Sequence, residues 1–177
     1  MRRFTILYLL ITFSFATLYA QNYRLKNAEV RFEIKNAGLT VNGKFDSIPA
    51  IQLTMQGGSP GNIMLSGTMA AASINTGIGI RDKHLRKPDY SDTEKYPLIS
   101  LQSTGIRGTG KELQGNFNLQ IKQTTRPVTM TITMTEKGSL IEMDGRFTIN
   151  RKDYGVGGNS MTLSDNVDIF VHAVFEK

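Results

Sequence analysis

Val128-Thr129-Met130-Thr131-Ile132-Thr133-Met134-Thr135 alternates an apolar side chain with a threonine along its whole length. Successive side chains of a strand point to opposite faces, so this stretch has one apolar face and one hydroxylated, β-branched face suited to water. The same period of two continues in both directions. Downstream, Ile141, Met143, Phe147 and Ile149 alternate with charged and polar residues, and Val167, Ile169, Val171, Ala173 and Phe175 follow. Upstream lie Leu113, Phe117, Leu119 and Ile121, then Ile99 and Leu101, then Ile63, Leu65 and Met69. Ile51, Leu53 and Met55, then Leu39, Val41 and Phe45, then Val30, Phe32 and Ile34 complete the set. Gly, Pro, Asn or Asp bounds these runs, which amount to about eight or nine one-sided strands. With no long amphipathic helix to cover a sheet, the apolar faces must meet in a sandwich or a closed barrel, and a barrel also removes exposed edges.

The chain has 177 residues, 40% of them hydrophobic, which suits one domain. Cysteine is absent, which excludes disulfide scaffolds, thiol nucleophiles and thiolate metal sites. Only His84 and His172 offer imidazole chemistry. Arg2 and Arg3 precede an apolar run at residues 4–16 with the flanks and length of a secretory signal. The reading is a cleavable signal peptide over residues 1–20, cut after Ala16 or Ala20, and a barrel domain over 21–177. Export places the mature protein in the periplasm or outside the cell. Without Arg2 and Arg3 the formal charge falls from +6 to +4. That scattered charge supports no nucleic-acid stripe and at most a transient contact with anionic lipid surfaces.

Gly43, Gly67, Gly115 and Gly145 fall on the apolar parity. They read either as bends that curve the sheet or as missing side chains that leave interior volume. Met55, Met64, Met69, Met130, Met134, Met143 and Met161 suggest a methionine-rich interior, whose flexible thioethers suit an adaptable wall as well as ordinary core filling.

Between Ile74 and Pro97 the alternation stops in a connection dense with ionisable groups. It contains Thr76-Gly77, then Arg81-Asp82-Lys83-His84-Leu85, then Tyr96-Pro97; a second cluster, Arg151-Lys152-Asp153-Tyr154-Gly155, follows later. With the Gly43-x-Phe45 of the opening strand pair and the Thr125-Arg126-Pro127-Val128 run, this ordered set resembles the YceI-like family of exported lipid-binding β-barrels. Gln123 stands where that family usually has glycine.

The resemblance implies an all-β fold: a single antiparallel, lipocalin-like barrel of about eight strands, with a long, partly helical connection around residues 76–97. It also implies an interior tunnel holding a long isoprenoid, quinone or fatty-acyl chain, for transport or storage. Parity then selects the lining as Phe32, Val41, Phe45, Leu65, Met69, Leu101 and Phe117 from the first half. From the second half it selects Leu119, Met130, Ile132, Met143, Phe147, Ile169 and Val171. Arg81, Asp82, His84, Arg151, Asp153 and Tyr154 either gather at the tunnel mouth to meet a head group or form a network that holds the loop.

No reaction is legible. The stretch from Gly105 to Lys111 has the glycines of a phosphate loop but Glu112 in place of the magnesium-binding hydroxyl. Asp82, His84 and Asp89 make a weak metal set. The expectation is therefore a binding protein rather than an enzyme, with no cofactor and no metal, with a homodimer left open. Two alternatives share the pattern: a small outer-membrane barrel with its apolar face outward, and a filled-core structural module.

Overall fold

The computed structural model describes residues 20–56 and 63–177. Apart from Ala20, the segment read as a signal peptide lies outside the described residues. Ten strands follow in order: β1 Ala20–Asn36, β2 Leu39–Phe45, β3 Ala50–Gln56, β4 Ile63–Ala70 and the two-residue β5 Ile74–Asn75. The helix α1, Gly79–Leu85, precedes β6 Leu98–Thr109, β7 Glu112–Ile121, β8 Thr124–Lys137, β9 Leu140–Asn150 and β10 Leu163–Glu176.

Eight strands close an antiparallel barrel in the order β1, β10, β9, β8, β7, β6, β4, β3 and back to β1. The closure depends on the length of β1. Its first residues, Ala20 to Tyr23, pair with β3, and its last, Arg31 to Asn36, pair with β2 on the same edge. The far end of β2 in turn pairs with β5.

The threonine face of β8 points outward: Thr129, Thr131 and Thr133 are exposed, while Met130 and Ile132 are buried. On β7, Glu112, Gln114, Asn116, Asn118 and Gln120 are likewise exposed. A membrane-spanning barrel carries its apolar band on the outside, so this surface is the reverse of the outer-membrane alternative.

One end of the barrel is filled. Ile106, Leu113, Ile132, Ile141 and Phe175 are each no more than 3% exposed, near the hairpins at residues 110–111 and 138–139. Burial of each such side chain contributes roughly 1.5–3 kcal/mol, which anchors the barrel at this end. The alternation misses Ile106 because β6 carries a bulge between Ser103 and Gly105. One extra residue moves the inward parity from Ile99 and Leu101 to Ile106. A similar shift between Leu25 and Asn27 hides the first part of β1.

The inward glycines leave little free volume. A Cβ at Gly43 would collide with the ring of Phe32, and one at Gly115 with the ring of Phe117. At Gly145 it would stand 2.5 Å from the sulfur of Met130. Neighbouring large side chains therefore occupy the space over these three glycines, which corrects the reading of them as cavity. The methionine-rich interior is also reduced, because Met64 and Met161 are exposed while Met130 and Met143 are buried.

Candidate functional site

At the opposite end, the turn after β1, the connection between β5 and β6 and the segment between β9 and β10 border an apolar cavity of about 170 Å³. The barrel strands supply Phe32, Ile34, Ile99, Ile121, Ile149, Val167 and Ile169, and β2 supplies Val41 and Phe45. The covering segments supply Ile74, Leu85, Tyr90, Val156 and Leu163, with Asn36, Thr76, Arg81, Ser91 and Arg151 as polar members of the wall.

Three of the polar members, Thr76, Arg81 and Arg151, are engaged by their own loops. Thr76 donates its amide, at 2.9 Å, and its hydroxyl, at 2.5 Å, to the buried carboxylate of Asp82. Arg81 donates Nε to the Thr76 hydroxyl at 2.7 Å and Nη2 to its carbonyl at 2.9 Å. A carboxylate and a guanidinium held by one threonine fix the start of α1 above the cavity.

Arg151 does the same for the other covering segment. It opens a short 3-10 helix, Arg151–Tyr154, whose first turn is capped by Asn150 accepting from the Lys152 amide. The guanidinium is 3% exposed and donates to the carbonyls of Val156, Gly158, Leu163 and Ser164, at 2.8–3.3 Å, and to the Asp165 carboxylate at 3.3 Å. The rigid donor fork thus gathers residues 156–165 over the barrel end. Gly155 and Gly157 take left-handed φ values of 64° and 71°, and the Gly157 amide donates to the Asp89 carbonyl at 2.7 Å, joining the two covering segments. Lys122, in the turn between β7 and β8, bridges them again by donating to the carbonyls of Pro88 and Gly155, each at 3.1 Å. That turn places its positive φ, 56°, on Lys122 rather than on Gln123, so glycine is not required at 123.

His84 is exposed and stacks edge-on against Tyr90 at 4.9 Å between ring centroids. Asp153 is exposed, and Tyr154 is buried in the core, where loss of water and then the nearby Asp153 charge push its phenol pKa up. The six polar residues picked from sequence therefore separate. Arg81 and Arg151 line the cavity, Asp82 and Tyr154 are buried outside its wall, and His84 and Asp153 face outward. Among the described residues, no three His, Asp or Glu side chains gather as cation ligands.

Of the apolar residues picked by parity, Phe32, Val41, Phe45 and Ile169 line this cavity. Leu65, Met69, Leu101, Leu119, Met130, Met143, Phe147, Val171 and again Ile169 line a second void of about 40 Å³ deeper in the barrel. Phe117 and Ile132 line neither and belong to the core. Ile169 is thus the one parity-selected side chain common to the two spaces. The wall residues that parity did not select, such as Ile34, Ile121, Ile149 and Val167, stand at the strand ends nearest the long connection. Position along the strand, in addition to face, was the available signal.

Fold and site together define a closed β-barrel with an apolar chamber under a tied loop cover. The chain belongs to the YceI-like family, whose domain matches residues 22–175. It is 26% identical over 174 residues to Protein YceI of Escherichia coli O157:H7, covering 91% of this chain and 90% of that one. The crystal structure of Burkholderia cenocepacia BcnA has the same fold, with a TM-score of 0.78 and 22% identity over 83% of this chain and 95% of BcnA. A polyisoprenoid binding domain from Saccharophagus degradans, implicated in plant cell wall breakdown, aligns with a TM-score of 0.65 and 14% identity, covering 90% and 98% of the two chains.

Proposed function

We propose that this protein is an exported carrier that holds the end of a long apolar molecule, of polyisoprenoid, quinone or fatty-acyl type, in the covered cavity. The observation that carries the reading is the cavity itself, whose wall is almost wholly apolar and whose two guanidinium groups, of Arg81 and Arg151, are bonded to the loops. Such a site gives affinity without a head group, since each methylene taken from water gains about 0.8 kcal/mol before ordering costs. The likeness in fold to a polyisoprenoid binding domain supports the ligand class. The basic and apolar opening of the sequence supports export to the periplasm. Binding is non-covalent, and no reaction is assigned to the site.

A space of about 170 Å³ is comparable to an engineered cavity of roughly 150 Å³ that admits benzene. It takes a short apolar segment as it stands. A longer chain is accommodated by displacing Ile169 and the methionines around the deeper void, which gives their flexibility a use. The experiment is uptake of a fluorescent polyene alcohol by the purified protein and by Val41→Trp, which fills the chamber. Saturable uptake that Val41→Trp abolishes is the expected result; equal uptake by both proteins would move the site elsewhere.

A further inference from the structure

We propose that the cavity end of the barrel docks on an anionic lipid bilayer, with Leu39, Ile78, Ile80 and Met161 entering the interface. Among the described residues six large apolar side chains are exposed, and only Met64 stands away from this end. The sixth of the set, Leu98, begins β6 at the same end. Leu39 and Ile80 are 73% and 85% exposed, so neither contributes to the core. Each of the four proposed contacts is within three residues of a residue in the cavity wall: Leu39 of Val41 and Asn36, Ile78 of Thr76 and Arg81, Ile80 of Arg81, and Met161 of Leu163. The turn after β1 and the segment carrying Met161 are joined directly, the Ala37 amide donating to the Thr162 carbonyl at 2.8 Å.

Charge selects the partner. Residues 34–42, 76–83 and 157–163 carry Lys35, Arg81 and Lys83, and their single acid, Asp82, is buried and bonded to Thr76. These segments thus present apolar side chains beside the exposed Lys35 and Lys83 with no exposed carboxylate among them, and the exposed acids of the connection, Asp89 and Glu94, lie beyond α1. Exposed apolar side chains flanked by lysines suit contact with an interface of anionic head groups. Why docking should matter rests on the carrier reading, because it lets an apolar chain pass between bilayer and cavity without crossing water. The docking itself is measured without ligand, so the two readings fail separately.

The chain contains no tryptophan, so one introduced indole reports its own surroundings. Leu39→Trp, Ile80→Trp and the distal control Met64→Trp are each mixed with phosphatidylcholine vesicles with and without phosphatidylglycerol. Expected are a blue shift and quenching by brominated lipid for the two rim variants with anionic vesicles, weakened by salt, and neither for Met64→Trp. The double variant Leu39→Asp/Ile80→Asp, with unchanged circular dichroism, should lose vesicle co-sedimentation at least tenfold. No shift at the rim, or an equal shift at Met64→Trp, overturns the proposal. A shift without vesicles that grows with protein concentration also overturns it and assigns the patch to a second copy of the chain.

Discussion

The ring of Phe32 covers Gly43, its register partner on the adjacent strand, and at the same time forms part of the cavity wall. Gly115 is covered in the same manner by Phe117, which is 1% exposed and borders no cavity. The same substitution should therefore act differently at the two glycines. In Gly43→Ala the displaced ring can swing into the chamber, so we expect reduced ligand uptake with a stability loss of about 1 kcal/mol. In Gly115→Ala the ring has no free space, and a loss of about 1–3 kcal/mol should appear in denaturant unfolding. Equal stability losses at the two sites would show that the chamber does not relieve the clash.

Ile169 lines both interior spaces. Truncation in Ile169→Ala should join them, costing about 2 kcal/mol because the side chain is half-buried, and should raise the affinity for long chains relative to short ones. Isothermal titration with fatty alcohols of increasing length checks this. A uniform loss across lengths would mean that the deeper void takes no part in binding.

Arg151 satisfies four carbonyls and a carboxylate from an almost fully buried position. A lysine cannot reproduce that fork, so Arg151→Lys leaves several acceptors unpaired, at a cost on the order of 3 kcal/mol. Amide exchange should rise across residues 156–165 before it rises in the strands. Uniform acceleration throughout the barrel would place Arg151 in the global core instead of the cover.

The Tyr154 phenol has its pKa raised above the ordinary 10.0, first by burial and then by Asp153. As pH rises through 10, the unfolded chain gives up this proton while the native state keeps it, so the folded state loses stability until the native phenol itself ionises. Tyr154→Phe should show a shallower fall in stability above pH 10, measured by urea unfolding at successive pH values. An unchanged fall would assign the alkaline sensitivity to other groups.

The strand ladder was legible because each strand buries one face, so the inward residues of β7, β8 and β9 can be read at every second position. The reading broke where the backbone breaks parity. The bulge in β6 conceals Ile106, and the one in β1 conceals the pairing of residues 20–27. The site was legible as a set of faces but not as a volume. Nothing local in the sequence tells that Phe117 fills the space over Gly115 while the strand ends near Ile34 and Ile149 stay open. The roles of Arg81 and Arg151 depend on loop carbonyls that have no sequence period at all.

The central claim is that the chamber under the Arg151-tied cover holds an apolar chain. The most direct measurement compares the native and denatured masses of the protein, produced from its full coding sequence and purified without detergent, with identification of whatever extracts into organic solvent. The account predicts a stoichiometric adduct bearing an isoprenoid or acyl chain, absent from Val41→Trp. Identical masses for the native and denatured protein, together with no uptake of long-chain lipids when these are offered, would contradict it.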